Sequence, residues 1–200
     1  MTKIPNNLLT KIGMTTAVVI GMSPSVSVAA NAQQVQFFER LASLCGKAFA
    51  GQVVSTDAAD AKFAQQKLLM HVRECHETQL KIPFHVGEDR SRTWVLTQTE
   101  GGLRLKHDHR HKDGSIDAVT MYGGDTQNGG TASLQSFPVD QASIENFLAN
   151  GLKASITNTW QMGVTAHTFS YRMFRQGRDF KVEFDLSKEM PLPQAPWGHE

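Results

Sequence analysis

Three histidines stand at alternate positions of this chain, and they are its strongest candidates for chemistry. His107, His109 and His111 lie in a stretch that begins with Leu103 and Leu105. Successive side chains of a β-strand point to opposite faces, so a strand here places the three imidazoles and the leucines on one face. Charged residues alternate with them and take the other face. The pattern predicts that the imidazoles point towards a core rather than into water.

Metal binding is one function that this spacing supports, because neutral imidazole is a common ligand of zinc and iron. The Cα atoms of His107 and His111 are about 13 Å apart on a straight strand, so the three histidines cannot easily share one ion. A metal site therefore uses His107 and His109 with one further ligand. The candidates for that ligand are His167, His85 and Asp113. The expected ion is zinc, iron or manganese.

Two other interpretations of the histidine face stay open. The imidazoles could contact an organic ligand or respond to pH, since histidine titrates close to neutral pH. Alternatively they are polar residues at the rim of a barrel or the tip of a hairpin, with no specific chemistry. The residues expected to face the same interior, and so to form a ligand site, are His107, His109, Tyr122 and His167. We expect His111 to be solvated, because it stands next to a predicted turn.

The stretch from Gly101 to Asp113 is similar to the first motif of the cupin family. It contains Gly101, five residues, His107-Asp108-His109, three residues and Asp113, where the cupin motif has Glu. Cupins are antiparallel barrels that hold iron, manganese or zinc on such residues, so the resemblance implies a metal at this hairpin. Together with the segment 82–94, the histidine stretch also resembles a family of exported bacterial proteins of unknown function, which implies no activity.

The first 32 residues have the pattern of an export signal. Lys3 and Lys11 are basic, and no acidic residue occurs before Glu39. An apolar stretch that begins at Ile12 is too short for a stable membrane span, and Ala30-Asn31-Ala32 supplies a small-x-small cleavage site. We therefore expect a periplasmic or secreted protein whose mature chain, residues 33–200, forms a single domain.

Composition narrows the classes of partner. Removal of Lys3 and Lys11 with the signal leaves 18 basic and 19 acidic residues, a net charge of −1. A nucleic-acid partner is not expected, because such proteins carry a basic surplus. Beyond the signal, no stretch is long enough to span a bilayer. The motifs of serine hydrolases, phosphate-binding loops and His-Glu-x-x-His zinc enzymes do not occur, so the expected partner is a small molecule or an envelope protein.

Cys45 and Cys75 are the two cysteines of the chain. An even count in an exported protein predicts a disulfide, which would stabilise the fold by roughly 3–4 kcal/mol for a loop of this length. Two free buried thiols, or a redox or metal-binding role, remain as alternatives. The redox alternative has no Cys-x-x-Cys motif to support it.

Hydrophobic periodicity predicts a mainly β fold with two helices. The helices are expected within 37–48 and between Asp140 and Gly151. An extended run is expected over 49–54, and about nine strands are expected within 68–73, 80–86, 92–99, 103–111, 116–122, 131–137, 156–162, 167–174 and 180–186. They predict an antiparallel meander that closes into a barrel or strongly curved sheet, with a β-sandwich as the alternative. Residues 87–92 are expected to form a charged loop, and three prolines after 190 an extended tail.

Two hairpins have registers that a structure can test. A turn at Asp113-Gly114 places Arg110 opposite Asp117. The same register pairs His109 with Ala118, His107 with Thr120 and Leu105 with Tyr122. A turn at Gln176-Gly177 creates an apolar face that is interrupted by His167 and the Tyr171 hydroxyl. Its expected pairs are Met173 with Phe180, Tyr171 with Val182, Phe169 with Phe184 and His167 with Leu186. The three tryptophans are expected to be packing groups.

Overall fold

The structure, a computed structural model, describes residues 1–2 and 31–200. The predicted export signal falls mostly on residues outside this range and stays a prediction. The described residues form a single domain of eleven strands, three α-helices and two short 3₁₀ helices. Within residues 31–200, no helix is both long enough and apolar enough to cross a membrane.

The elements follow one another in a simple order along the chain. The helices are α1 (Ala32–Ala42), α2 (Ala61–Ala64) and α3 (Gln141–Ala149), with 3₁₀ helices at Ala58–Asp60 and Lys153–Thr157. The strands are β1 (Ala48–Val53), β2 (Leu68–His71), β3 (Glu74–Cys75), β4 (Gln79–Val86), β5 (Asp89–Thr99), β6 (Gly102–His109), β7 (Tyr122–Asp125), β8 (Leu134–Pro138), β9 (Thr159–Val164), β10 (Thr168–Arg175) and β11 (Arg178–Met190).

All strands belong to one antiparallel sheet that curls into a nearly closed barrel. The order is β7-β6-β5-β4-β2-β1-β11-β10-β9-β8, with β3 paired to β4. At the closure, the carbonyl of Gly123 accepts a hydrogen bond of 2.9 Å from the backbone N–H of Asp140. A Cβ on Gly124 would lie 1.8 Å from the carbonyl oxygen of Pro138, so only glycine lets the two edges meet. The predicted mainly β, barrel-like fold is confirmed.

The hairpin of β10 and β11 has the register that the sequence predicts. Met173 lies opposite Phe180, and Tyr171 lies opposite Val182. The residues between them point outwards, so the inner face is apolar and most of its side chains are buried. Because the side-chain period of a strand is two, one correctly placed turn fixes the facing of every residue in both strands.

The histidine hairpin differs from its prediction, because its ladder breaks after the tip. Arg110 forms a single bridge with Ile116, and β7 begins at Tyr122, which lies opposite His107. The predicted strand over 116–122 is therefore wrong. The partner of His107 is displaced by two residues from the one expected.

Side chains in residues 117–121, hereafter the 117–121 loop, explain this break. The carboxylate of Asp117 accepts a 2.7 Å hydrogen bond from the backbone N–H of Val119. The hydroxyl of Thr120 accepts a 2.8 Å hydrogen bond from the backbone N–H of His109. Short polar side chains thus satisfy backbone groups that a strand ladder would otherwise use.

Helix α1 closes one end of the barrel. Asn31 caps its N-terminus in a capping box, and Phe37, Phe38 and Leu41 are buried on its inner side. The helix ends at Ala42, so the predicted continuation to residue 48 is wrong. The turn that follows contains Gly46 at a φ of 81°, which a helix does not allow, and Ala48 opens β1.

The predicted disulfide is present at this closed end. Cys45, just after α1, is bonded to Cys75 of β3. Gly46 also donates its backbone N–H to the carbonyl of Val72 at 2.8 Å. The covalent bond therefore ties the end of α1 to β3, which pairs with the start of β4.

The segment 195–200 lies on the outer face of the sheet. Trp197 donates its backbone N–H to the carbonyl of Arg90, and the guanidinium of Arg73 donates to the carbonyl of His199. The His199 ring lies 2.8 Å from the buried carboxylate of Asp108. These contacts fasten the segment across β4, β5 and β6, outside the barrel.

Candidate functional site

The end of the barrel opposite α1 opens into a cavity of about 490 Å³. It lies among the ends of β4, β6 and β10 and the starts of β5, β9 and β11. The 117–121 loop, α2, α3 and the 3₁₀ helix Lys153–Thr157 surround its mouth. Its wall is mainly aromatic and includes Phe84, Trp94, Tyr122, Phe147, Trp160 and Tyr171.

His107 lies at the inner wall of the cavity, with both ring nitrogens engaged. Nδ1 is 3.0 Å from the carbonyl oxygen of Tyr122, and Nε2 is 2.8 Å from the hydroxyl of Tyr171. A carbonyl only accepts, so Nδ1 carries the proton and Nε2 accepts the Tyr171 hydrogen. Burial lowers the pKa of His107 to about 3, which keeps the ring neutral. No nitrogen lone pair of His107 is free for a metal.

The hydrogen-bonded rings also stack on one another. The rings of His107 and Tyr122 are 4.6 Å apart and nearly parallel, and Tyr171 stacks on Trp94 at 4.5 Å. Burial raises the pKa of Tyr122 to about 12, so its hydroxyl stays protonated. The polar groups of His107, Tyr122 and Tyr171 in the inner wall are therefore neutral and hydrogen-bonded to one another or to His109.

His109 lies nearer the mouth and is bonded on one side of its ring. Its Nε2 is 3.1 Å from the hydroxyl of Tyr122. Burial, followed by the charge of Arg92, lowers the pKa of His109 to about 4, against the opposing effect of nearby carboxylates such as Asp117. No hydrogen bond to Nδ1 comes from the part of the chain that the structure describes. A neutral His109 thus offers this nitrogen to a molecule in the cavity.

The structure brings together three of the four residues predicted to bind a ligand. His107, His109 and Tyr122 line the cavity, and His111 is exposed at the hairpin tip as expected. His167 does not join them. Its side chain is exposed, and it lies four residues, or about 13 Å along a strand, before Tyr171.

The expected inward facing of His167 is therefore wrong, although its backbone has the predicted partner. The Leu186 N–H donates to the His167 carbonyl at 2.9 Å. The chain turns just before β10, where the hydroxyl of Thr165 accepts the backbone N–H groups of His167 and Thr168. His167 belongs to this turn and not to the pleated strand, so strand alternation does not govern its side chain.

The other candidate metal ligands are also separated from the histidine pair. His85 lies opposite Leu69 on the outer face of the sheet, where it is buried. Asp113 lies at the exposed hairpin tip and accepts hydrogen bonds from the backbone and hydroxyl of Ser115. The predicted metal set of His107, His109 and His167 is not assembled. Within the described ranges, no three histidine, cysteine or acidic side chains gather as a metal site would require.

Two arginines of the cavity were not among the predicted site residues. Arg92 was predicted at the boundary between a charged loop, 87–92, and a strand, 92–99. In the structure β5 begins at Asp89, so Arg92 lies within the strand, two positions before Trp94. Arg175 ends β10, two positions after Met173. Both line the cavity. The sequence could have predicted this position. When the alternation of inward and outward side chains is extended to the ends of both strands, both arginines fall on the inner face.

The tryptophans have different surroundings from one another. Trp94 and Trp160 are buried, and both also line the cavity, so they are wall residues as well as the packing groups expected. Trp197 lies in the outer segment 195–200. The cavity therefore combines an apolar interior, suited to stacking and hydrophobic contact, with cationic and hydrogen-bonding groups at its mouth.

Comparison with known proteins adds no relative to this description. No family model, curated protein or solved structure matches the chain. Its function has to be inferred from the cavity and from the residues that line it.

Proposed function

We propose that this protein is exported and binds a small, largely apolar molecule in the barrel cavity. The observation that carries the proposal is the cavity itself, which has an aromatic wall and a few polar groups at its mouth. Small-molecule sites are concave and mostly apolar, typically roughly 300–1,000 Å³ in volume, and often lie at the mouths of β-barrels. The cavity of about 490 Å³ falls within that range.

The cost of such a cavity favours binding over a purely structural role. Empty space beside apolar side chains removes contacts and lowers stability. At the other end of the barrel, Phe37 and Leu41 of α1 are fully buried. The fold is thus able to cover a barrel end with apolar side chains, and it leaves the end beside His109 open.

Export is the second part of the proposal. The Cys45–Cys75 disulfide is compatible with it, because disulfides persist in the periplasm and outside the cell. The amino-terminal pattern of basic residues, apolar stretch and small-residue cleavage site supports the same compartment. We propose that the protein meets its ligand in the periplasm or outside the cell.

Binding of a neutral fluorescent probe tests the cavity. N-phenyl-1-naphthylamine fluoresces strongly only in apolar surroundings and carries no charge that an arginine would attract. We expect saturable binding by the disulfide-bonded protein, accompanied by quenching of tryptophan fluorescence from Trp94 and Trp160. Leu152→Trp, which adds bulk at the mouth, is expected to weaken probe binding at least fivefold.

Leu134→Trp is the matched control. Leu134 is 42% exposed and Leu152 is 40% exposed, but Leu134 lies on β8 away from the cavity. Probe binding should be unchanged in this variant. If the probe does not bind, or if the two variants weaken it equally, the cavity is not the binding site.

A further inference from the structure

The mouth of the cavity contains a guanidinium group with unused hydrogen-bond donors. Arg175 follows Tyr171 and Met173 on the inner face of β10 and is half-buried. Its Nη1 donates to Oδ1 of the buried Asn158 at 3.1 Å and lies 3.6 Å from the Met173 sulfur. Among the described residues, no hydrogen bond uses Nε or Nη2. Asn158 therefore positions the guanidinium and leaves one edge of it free.

Arg175 differs from most other arginines of residues 31–200 in the absence of a carboxylate partner within that range. Five arginines each contact a carboxylate: Arg92, Arg104, Arg110, Arg172 and Arg178. In the surface groove that adjoins Arg175, the carboxylates of Asp57 and Asp179 are already held, by Arg178 at 3.1 Å and by Arg172 at 2.6 Å. The charge of Arg175 is thus left for a molecule that enters the cavity.

The opposite side of the mouth is less favourable for an anion. The carboxylate of Asp117 lines that side, and the charge of Arg92 is balanced by Asp89 at 2.6 Å. His109 between them is neutral near pH 7, since its pKa is lowered to about 4. The electrostatic asymmetry of the mouth therefore directs a negative group to Arg175.

We propose that the cavity takes an aromatic carboxylate whose carboxylate group binds to Nε and Nη2 of Arg175. The guanidinium fork matches the two oxygens of a carboxylate, and such paired, charge-assisted hydrogen bonds are the strong ones in proteins. The aromatic ring of the ligand lies against the apolar wall that includes Trp94, Trp160 and Tyr171, where it buries apolar surface. This inference rests on the proposed function, because it specifies the ligand of the same cavity.

Two ligands of nearly equal size, one with a carboxylate and one with a neutral amide, test the proposal. Calorimetry at pH 7.5 compares 1-naphthaleneacetate with the neutral 1-naphthaleneacetamide, which has nearly the same size and shape. We expect the carboxylate to bind at least tenfold more tightly. Arg175→Gln is expected to remove this preference by weakening the carboxylate and leaving the amide unchanged.

Arg104→Gln provides the control for net charge. Arg104 is on the outer face of β6 and pairs with Asp125, so its loss should leave the preference intact. If both arginine variants reduce the preference equally, the effect is a general one of charge and Arg175 is not the anchor. Arg175→Lys, which keeps the charge and loses the fork, is expected to retain only part of the preference and also serves if the glutamine variant does not fold.

The outcomes separate this inference from the proposed function. Equal binding of the acid and the amide overturns the assignment of a carboxylate and leaves the cavity as an apolar binding site. Failure of both ligands and of N-phenyl-1-naphthylamine overturns the proposed function itself. A preference that survives in both Arg175 variants assigns the anion to another group.

Discussion

The two ends of the barrel use aromatic residues in opposite ways. At the closed end, Phe37 and Phe38 come from α1 and are buried beside the sheet. At the open end, aromatic residues such as Trp160 and Tyr122 surround a cavity of about 490 Å³. Aromatic residues are thus buried in the core at one end and line open space at the other.

The difference follows from the elements that cover each end. Helix α1 is eleven residues long, has a capping box and is tied to the sheet by the disulfide next to it. The open end is bordered by the four-residue α2, the nine-residue α3, a 3₁₀ helix and the 117–121 loop, and no disulfide fastens these elements. We expect stability to depend most on the closed end and ligand binding to depend on the open end, and the following measurements test that division.

The largest expected effect is on the closed end. Phe37→Ala should lower the free energy of unfolding by about 3–5 kcal/mol, because it removes a fully buried ring and leaves a cavity. At the open end, Met173→Ala should cost less than about 1.5 kcal/mol, since Met173 is half-buried and already borders empty space. Urea unfolding followed by tryptophan fluorescence measures both. Equal losses would remove the proposed division of stability.

The disulfide gives the next effect. The double variant Cys45→Ser/Cys75→Ser should lose about 3–4 kcal/mol, because the crosslink closes a long loop and restricts the unfolded chain. If the division between the ends is correct, the folded variant still binds N-phenyl-1-naphthylamine with the affinity of the parent. A parallel loss of probe affinity under native conditions would show that the two ends are coupled.

The open end is expected to be sensitive to acid. The pKa values of His107 and His109 are lowered to about 3 and about 4 in the folded protein, against about 6.5 in an unfolded chain. Between the folded and the unfolded pKa values, the unfolded state binds more protons than the folded state. The free energy of unfolding is therefore at its full value above pH 6.5 and decreases as the pH drops towards 4. The expected loss is about 1 kcal/mol per pH unit for each histidine.

A matched pair of variants assigns this pH dependence. His109→Gln keeps a hydrogen-bond donor near Tyr122 and should flatten the fall in stability between pH 6.5 and 4. His111→Gln, at the exposed tip, should leave the fall unchanged. The variants are needed because His85, on the outer face, also has a pKa lowered to about 4 by burial. His85 therefore adds its own loss of stability in acid, and the pH dependence of the parent protein alone does not isolate His109. An unchanged slope in His109→Gln would contradict the assignment.

The smallest expected effect concerns the hydroxyl groups of the inner wall. Tyr171→Phe leaves Nε2 of the buried His107 without its 2.8 Å donor and should cost about 1–2 kcal/mol. Tyr122→Phe should cost less, because its partner His109 is only partly buried. Thermal unfolding of both variants checks the order. The reverse order would mean that the mouth is held more firmly than the inner wall.

Sequence patterns predicted this fold well where one period of alternation ran through a whole hairpin. The turn at Gln176-Gly177 fixed the register of Met173 and its neighbours. The histidine hairpin was harder, because Asp117 and Thr120 satisfy backbone groups that the ladder would have used. Side chains and strand partners compete here for the same backbone hydrogen bonds, and the outcome depends on local geometry. The spacing of hydrophobic residues carries no information about that geometry.

The candidate site divides in the same way. Alternation by itself determined that His107 and His109 face inwards, and carried to the strand ends it also places Arg92 and Arg175 on the inner face. His167 does not share that face, because it lies in a turn, and the two-residue period of a strand does not apply there.

The sequence by itself determined the mainly β character, the inner faces of the long strands and the cysteines that are joined. Only the tertiary structure decided that α1 covers one end of the barrel and that the other end stays open. It also decided that the Arg175 guanidinium contacts Asn158 and, within residues 31–200, no carboxylate. The physical reason is that facing depends on neighbours along one strand, whereas a cavity and its charge depend on segments that are distant in sequence and meet only when the sheet closes.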